Sequence, residues 1–154
     1  MDNVSLTESD INSEFERDIN ELIASINIED IKTFEDTNKT IIEILDVIYG
    51  NFNNYKRNVE HKQSALEILY NNYEYVEDFK RLKPFTAIYY IDLREFYNLK
   101  LKYLGYFISF NKYDNMVFKK NRLIGSLKPD KCVFFKKIAN KEKAKMILLE
   151  SIKE

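Results

Sequence analysis

The feature that most constrains the fold of this chain is the stretch from residue 85 to residue 138. It is dense in tyrosine, phenylalanine and β-branched residues, and it contains Gly105 and Gly125, two of the three glycines. Residues of these types are enriched in strands. Its strongest segment, residues 101–110, reads LKYLGYFISF. We therefore predict a small antiparallel sheet here, with helices before and after it in the chain.

The residues before this stretch have helical periodicity. Residues 1–8 are predicted to be disordered. After them, apolar residues recur at spacings of three and four, which makes a single helical stripe: Ile11, Phe15, Ile19, Leu22, Ile23 and Ile26. Thr40 and Glu43 match a capping box at the start of a further helix, and Gly50 is placed to end it. A third helix is predicted over residues 59–82.

These patterns predict an α+β fold with about three acidic N-terminal helices packed on a C-terminal antiparallel sheet. Residues 9–83 form the helical half, and residues 84–154 form the sheet together with a closing helix that starts near Asn140. Because 154 residues suit one domain, the two halves are expected to fold as a single cooperative unit.

Both faces of the strongest strand are apolar. Simple alternation would place Leu101, Tyr103 and Phe107 on one face and Leu104, Tyr106, Ile108 and Phe110 on the other. A sheet with one solvated face would alternate apolar and polar residues instead. We therefore expect both faces to be covered, and we predict a protein interface centred on Tyr103, Phe107 and Leu101.

Charge is unevenly distributed along the chain, although the formal net charge is only −1. Residues 1–55 carry 13 acidic and 3 basic residues, whereas residues 84–154 carry 7 acidic and 15 basic residues. Either the two halves pack together and their opposite charges largely cancel, or each half attracts a different partner.

The single cysteine and the character of the N-terminus predict an intracellular, reducing compartment. Cys132 has no second cysteine with which to form a disulfide within the chain. The first ten residues, MDNVSLTESD, are polar and acidic, unlike a signal peptide. No apolar run approaches the length of a membrane span, so no membrane partner is expected.

No residue set predicts catalysis, a metal or a cofactor. His61 is the only histidine and lies in a polar stretch, which is typical of a solvated surface residue. Residues 36–40 begin like a calcium loop, but Ile41 and Val47 occupy the positions that need glycine and glutamate. The three glycines stand far apart, so a phosphate-cradling loop is not indicated.

The C-terminal half is both basic and aromatic, which suggests nucleic acid as an alternative partner. A positive groove and stacking aromatic rings are what single-stranded nucleic acid requires. The opposing interpretation is that the aromatic residues form the core and the lysines protect sheet edges. The candidate contacts are Lys119, Lys120, Arg122, Lys128, Lys131, Lys136 and Lys137.

The order of helices, a sheet with the basic run VFFKK and a final helix resembles small ribonuclease toxins. The catalytic residues of that family cannot be placed in this sequence, so none is carried over. An enzyme of this kind is a third alternative. The sequence best fits a non-catalytic adaptor or assembly subunit that binds a protein partner or a second copy of itself.

Overall fold

The computed structural model describes Arg17 and residues 32–153. These residues form three α-helices and a six-stranded antiparallel sheet, which confirms the predicted α+β class. The helices are α1 (Phe34–Asn51), α2 (Lys56–Leu69) and α3 (Asn140–Lys153). The strands are β1 (Tyr73–Tyr75), β2 (Ala87–Asp92), β3 (Lys102–Phe110), β4 (Met116–Lys120), β5 (Leu123–Leu127) and β6 (Cys132–Lys137). The apolar stripe predicted between Ile11 and Ile26 lies outside the described residues.

The sheet has the strand order β1-β6-β2-β3-β4-β5. Four strand spacings of about 4.8 Å separate β5 from β6, or roughly 19 Å in a flat sheet. The link from Leu127 to Cys132 has five residue steps and reaches about 17 Å when fully extended. The sheet therefore coils, and this brings Leu127 and Cys132 into one apolar cluster.

Helix α1 begins earlier than the sequence pattern predicted. Thr33 is the N-cap, and its Oγ1 accepts a hydrogen bond of 3.1 Å from the Asp36 N–H. The predicted cap, Thr40, lies inside the helix, where its hydroxyl donates to the Asp36 carbonyl. The prediction at Thr40 was wrong because Thr33 already caps the helix about two turns earlier.

Helix α2 ends at Leu69, so the predicted helix over residues 59–82 is wrong in its second half. Asn71 adopts a left-handed conformation with φ of 66°. Its N–H donates to Asn38 Oδ1 at 2.9 Å, and the Asn38 amide donates to Asn71 Oδ1 at 2.8 Å. These two hydrogen bonds hold the turn that leads from α2 into β1. Strand β1 pairs with β6.

Each face of the sheet carries its own apolar cluster. On the face that we call the helix face, Ile91 and Phe135 pack against Ile41 and Leu45 of α1 and Leu69 of α2. The opposite face, which we call the inner face, carries a second set of buried residues: Ile88, Leu104, Phe107, Met116 and Phe134. Val76, Phe79 and Leu82, from the link between β1 and β2, pack on the inner face.

Strand β3 changes the direction of its side chains at Gly105. The register between β2 and β3 shifts after Ile88, which pairs with Gly105, because Tyr89 pairs with Tyr103. Gly105 has φ of +106°, and an added Cβ would overlap the Lys119 carbonyl oxygen. This bulge puts Leu101 in the helix-face cluster and Phe107 in the inner-face cluster. The expectation that these two residues share a face was therefore wrong.

Helix α3 starts at Asn140 and packs on the entry to α1. Met146 forms a small buried cluster with Phe34 and Ile138. Lys143 adds a hydrogen bond of 2.9 Å from its Nζ to Asn72 Oδ1. These contacts connect the end of β6 with the start of α1 and the turn after α2.

Candidate functional site

The three residues of the predicted interface lie in different environments. Phe107 is 2% exposed and Leu101 is 7% exposed, so both are core residues of this chain. Tyr103 is half-buried, and its ring centroid lies 5.0 Å from that of Tyr89. The interface role of these residues stays a prediction, and their burial directs attention to more exposed neighbours on the same sheet.

Tyrosine side chains from three strands gather on the helix face. The ring centroids of Tyr73 and Tyr89 are 5.1 Å apart, in an edge-on arrangement. Burial raises the pKa of Tyr73 to about 12, and the nearby Tyr89, Tyr103 and Tyr106 add to that effect. Tyr106 is the outermost of this group and is 50% exposed. The row therefore runs from the covered part of the helix face to an open part.

The open part of the helix face belongs to β3, β4 and β5. Tyr106 pairs with Lys119, and Lys119 pairs with Ile124, so their side chains share this face. Within the described residues, the helix-face cluster includes no side chain of β4 or β5. Ile124 is 69% exposed. The adjacent Leu123, which pairs with Lys120, is 77% exposed and projects to the opposite face. These two apolar side chains lie on the edge strand of the sheet.

The basic residues proposed for nucleic acid do not lie on a single surface. Lys119 and Lys120 are adjacent in β4 and so project to opposite faces. Lys136 is held by an ion pair of 3.1 Å with Glu74, whereas Lys137 is exposed on the other face of β6. Arg122, Lys128 and Lys131 are exposed residues of the turns that flank β5 and β6. Lys119, Lys120 and Arg122 lie at or beside the turn between β4 and β5. Lys128 lies at the other end of β5, where its carbonyl oxygen is 3.8 Å from Sγ of Cys132, the neighbour of Lys131.

An ionic cluster lies beside the single cysteine. Arg94 Nε is 2.8 Å from Asp92 Oδ1, and its terminal nitrogen is 3.5 Å from Cys132 Sγ. Burial acts to raise the pKa of Asp92, but the hydrogen bonds from Arg94 outweigh it and the pKa is lowered. Burial raises the pKa of Cys132 to about 11; nearby Asp92 adds to that effect, and Arg94 opposes it. The thiol is therefore protonated at neutral pH, which is unsuited to a nucleophile.

The structure also gives the positions of His61 and of residues 36–40, which were considered for catalysis and for calcium binding. His61 Nε2 lies 2.7 Å from Asn98 Oδ1. Residues 36–40, which begin like a calcium loop, lie within α1. Among the described residues, no group of three or more histidine, cysteine or acidic residues is arranged to hold a metal ion. No helix in the part of the chain that the structure describes has the length and apolarity needed to cross a membrane.

Comparison with known protein families, with curated proteins and with solved structures found no significant match. The exposed residues Leu123, Ile124 and Tyr106 were not predicted as a site. The short strand and the Asn121-Arg122 turn are visible in the sequence, but the position of β5 at the sheet edge is not. That position follows from β6 inserting between β1 and β2 instead of pairing with β5.

Proposed function

We propose that this chain is a non-catalytic interaction protein, an adaptor or assembly subunit, that binds a protein partner through the exposed end of its sheet. The observation that carries the proposal is the exposure of Leu123 and Ile124 on an edge strand. Exposed apolar side chains that adjoin an unpaired strand edge are characteristic of surfaces that other chains cover. Tyr106 extends this surface onto the helix face.

Chemistry of the described residues supports a binding role over an enzymatic one. Cys132 keeps its proton at neutral pH because its pKa is about 11. His61 contacts an asparagine amide, not a nucleophile. General base catalysis with a nucleophile needs the two groups within hydrogen-bond reach. The described residues bring no such pair together.

The proposal extends to the finer architecture. Residues 1–31 hold nine acidic residues and one basic residue, and residues 32–154 hold 16 acidic and 23 basic residues. Opposite net charges favour packing of an acidic N-terminal helix on the basic remainder of the chain. We also propose that α3 closes the sheet, and that the protein works in a reducing intracellular compartment, where Cys132 remains a thiol.

The proposal is tested with two double variants of equal charge change. Leu123→Lys with Ile124→Lys alters the edge strand, whereas Val47→Lys with Val59→Lys alters exposed positions on α1 and α2. A protein that co-purifies from the native cell, and rebinds after separate purification, should bind the edge variant about 30-fold more weakly. The helix variant should bind like the unmodified chain. A partner that binds both variants equally well contradicts the proposal.

A second copy of the chain is the other protein that this surface could bind. Light scattering on the purified chain measures this directly. A dimer that dissociates in the Leu123→Lys, Ile124→Lys variant would place self-association at this edge. If the chain is monomeric at high concentration, self-association is excluded and the partner is a different protein.

Nucleic-acid binding by the basic, aromatic half is the alternative function. Since the seven candidate side chains are dispersed and Lys136 is paired with Glu74, we expect single-stranded oligonucleotides to bind weakly. Fluorescence anisotropy at physiological salt measures this binding. Sub-micromolar affinity that is lost when Lys119, Lys120, Lys136 and Lys137 are changed to Ala would favour the alternative.

A further inference from the structure

Strand β5 presents free backbone groups along its outer edge. It is joined to β4 by the two-residue turn Asn121-Arg122, and the β4–β5 pairing continues to Leu127 without a shift of register. In such a hairpin the residues that flank the turn exchange both backbone hydrogen bonds, and bonded pairs then alternate with non-bonded ones. Ile124 and Ser126 belong to the non-bonded pairs, so their N–H and C=O groups point away from β4. No strand of the described residues lies beyond β5.

Basic side chains predominate among the charged residues next to β5 in β4 and the turns. Arg122 precedes β5 and Lys128 follows it, and Lys119 and Lys120 lie on the neighbouring strand. Residues 116–128 contain four basic residues and no acidic residue. Asp114 and Asp130 line the same cavity as Lys128, and the Asp130 carboxylate is 4.0 Å from Lys128 Nζ. A weak pair of exposed groups at this distance leaves most of the positive charge uncompensated.

In the register centred on Gly125, this charge arrangement disfavours pairing of β5 with β5 of a second copy. An antiparallel pair of identical strands centred on Gly125 would place Arg122 of each copy opposite Lys128 of the other. Like charges directly opposite each other destabilise a strand pair. The same four basic residues would stabilise a strand with acidic residues at its ends. Charge complementarity therefore selects the partner strand.

We propose that β5 binds an extended segment of a partner protein that has a β-branched, apolar middle and acidic residues at both ends. This inference rests on the proposed function and names the chemical class of the partner segment. The segment adds a seventh strand through the backbone groups of Ile124 and Ser126. Its apolar side chains pack on Leu123 and Ile124, and its acidic ends lie near Arg122 and Lys128.

The test uses two synthetic peptides with the same alternating valine and threonine middle. One has two glutamates at each end, and the other has two lysines at each end. The full chain should bind the acidic peptide at least about tenfold more tightly. Backbone amide hydrogen exchange should slow at Ile124 and Ser126 when that peptide is bound, because only strand addition protects those two N–H groups.

Two pairs of substitutions separate local charge from net charge. Arg122→Glu with Lys128→Glu should reverse the preference, so that the lysine-ended peptide binds more tightly. Lys83→Glu with Lys137→Glu makes the same change of net charge at exposed residues away from β5 and should leave the preference unchanged. Ser126→Pro removes one outward N–H group without removing a hydrogen bond to β4. It should therefore weaken the binding of both peptides.

The outcomes also distinguish this inference from the proposed function. Equal binding of the two peptides, or displacement of the acidic peptide by single-stranded RNA with similar affinity, would overturn the inference. So would a dimer through β5 in light scattering. If neither peptide binds, but the separately purified partner binds the unmodified chain and not the Leu123→Lys, Ile124→Lys variant, the inference fails and the proposed function stands. If that partner also binds the variant normally, both fail.

Discussion

Asn58 Oδ1 accepts a hydrogen bond of 2.9 Å from the Leu99 N–H, in a part of the core where both residues are buried. The Asn58 amide group also donates to the carbonyl groups of Phe52 and Phe96, at 2.9 and 3.0 Å. One side chain thus holds the turn between α1 and α2 against the link that leads into β3. Three buried or half-buried backbone groups depend on it.

Asn58→Ala should lower the free energy of unfolding by about 3 kcal/mol, because it leaves those backbone groups without partners. Urea denaturation followed by circular dichroism measures the change. Asn54→Ala is the matched control, since Asn54 is exposed in the same turn region, and it should change stability by less than about 0.5 kcal/mol. Equal effects of the two substitutions would contradict the role given to Asn58.

Gly105→Ala should destabilise the protein by at least about 2 kcal/mol. The residue has φ of +106°, and a Cβ would overlap the backbone of Lys119 in β4. Gly50→Ala provides the contrast, because Gly50 lies in α1 with open space around the position of a Cβ. That substitution should be neutral or stabilise by about 0.5–1 kcal/mol. Thermal unfolding of both variants tests the pair.

The sheet was predictable from the sequence to the extent that its signals are local. Strand β3 lies within one residue of the predicted segment 101–110, and strands β2 to β6 all lie within the predicted stretch 85–138, because apolar runs bounded by turn residues define them. Strand β1 was missed because Tyr73, Val76 and Phe79 also fit helical spacing. The left-handed Asn71 that ends the helical region depends on Asn38, 33 residues earlier. Such a partner cannot be read from neighbouring residues.

The candidate site was less predictable than the fold. The aromatic residues at the centre of the predicted interface were identified as apolar, but the bulge at Gly105 decides which face each one occupies. The edge position of β5 depends on the non-local pairing of β6 with β1 and β2. Spacing and composition contain no information on either point.

Deletion of residues 1–27 should lower the melting temperature or make the protein insoluble. The reason is the apolar stripe that includes Phe15, Leu22 and Ile26, since a stripe this regular is expected to be buried. Deletion of residues 1–8 alone is the control, because these polar residues are predicted to be disordered, and it should not change the melting temperature. An unchanged melting temperature after the longer deletion would show that the stripe binds something other than this chain.

Stability should fall between about pH 9 and pH 11 in a way that depends on Cys132. The pKa of this thiol is raised from 9.0 to about 11 in the folded state, mainly by burial. In that range the unfolded thiol loses its proton while the folded thiol keeps it, so rising pH favours the unfolded state. The Cys132→Ala variant should lose less free energy of unfolding across this pH range than the unmodified protein, as measured by denaturation at each pH. Parallel losses in the two proteins would contradict the raised pKa.

The insertion of β6 between β1 and β2 has a consequence for folding during synthesis. Domains begin to fold as the chain emerges from the ribosome, but residues 132–137 are made after every other strand of this sheet. Until they appear, β1 has no partner strand and β2 has only β3. Until β6 is made, the edges of β1 and β2 that will pair with it are therefore open to pairing with other chains.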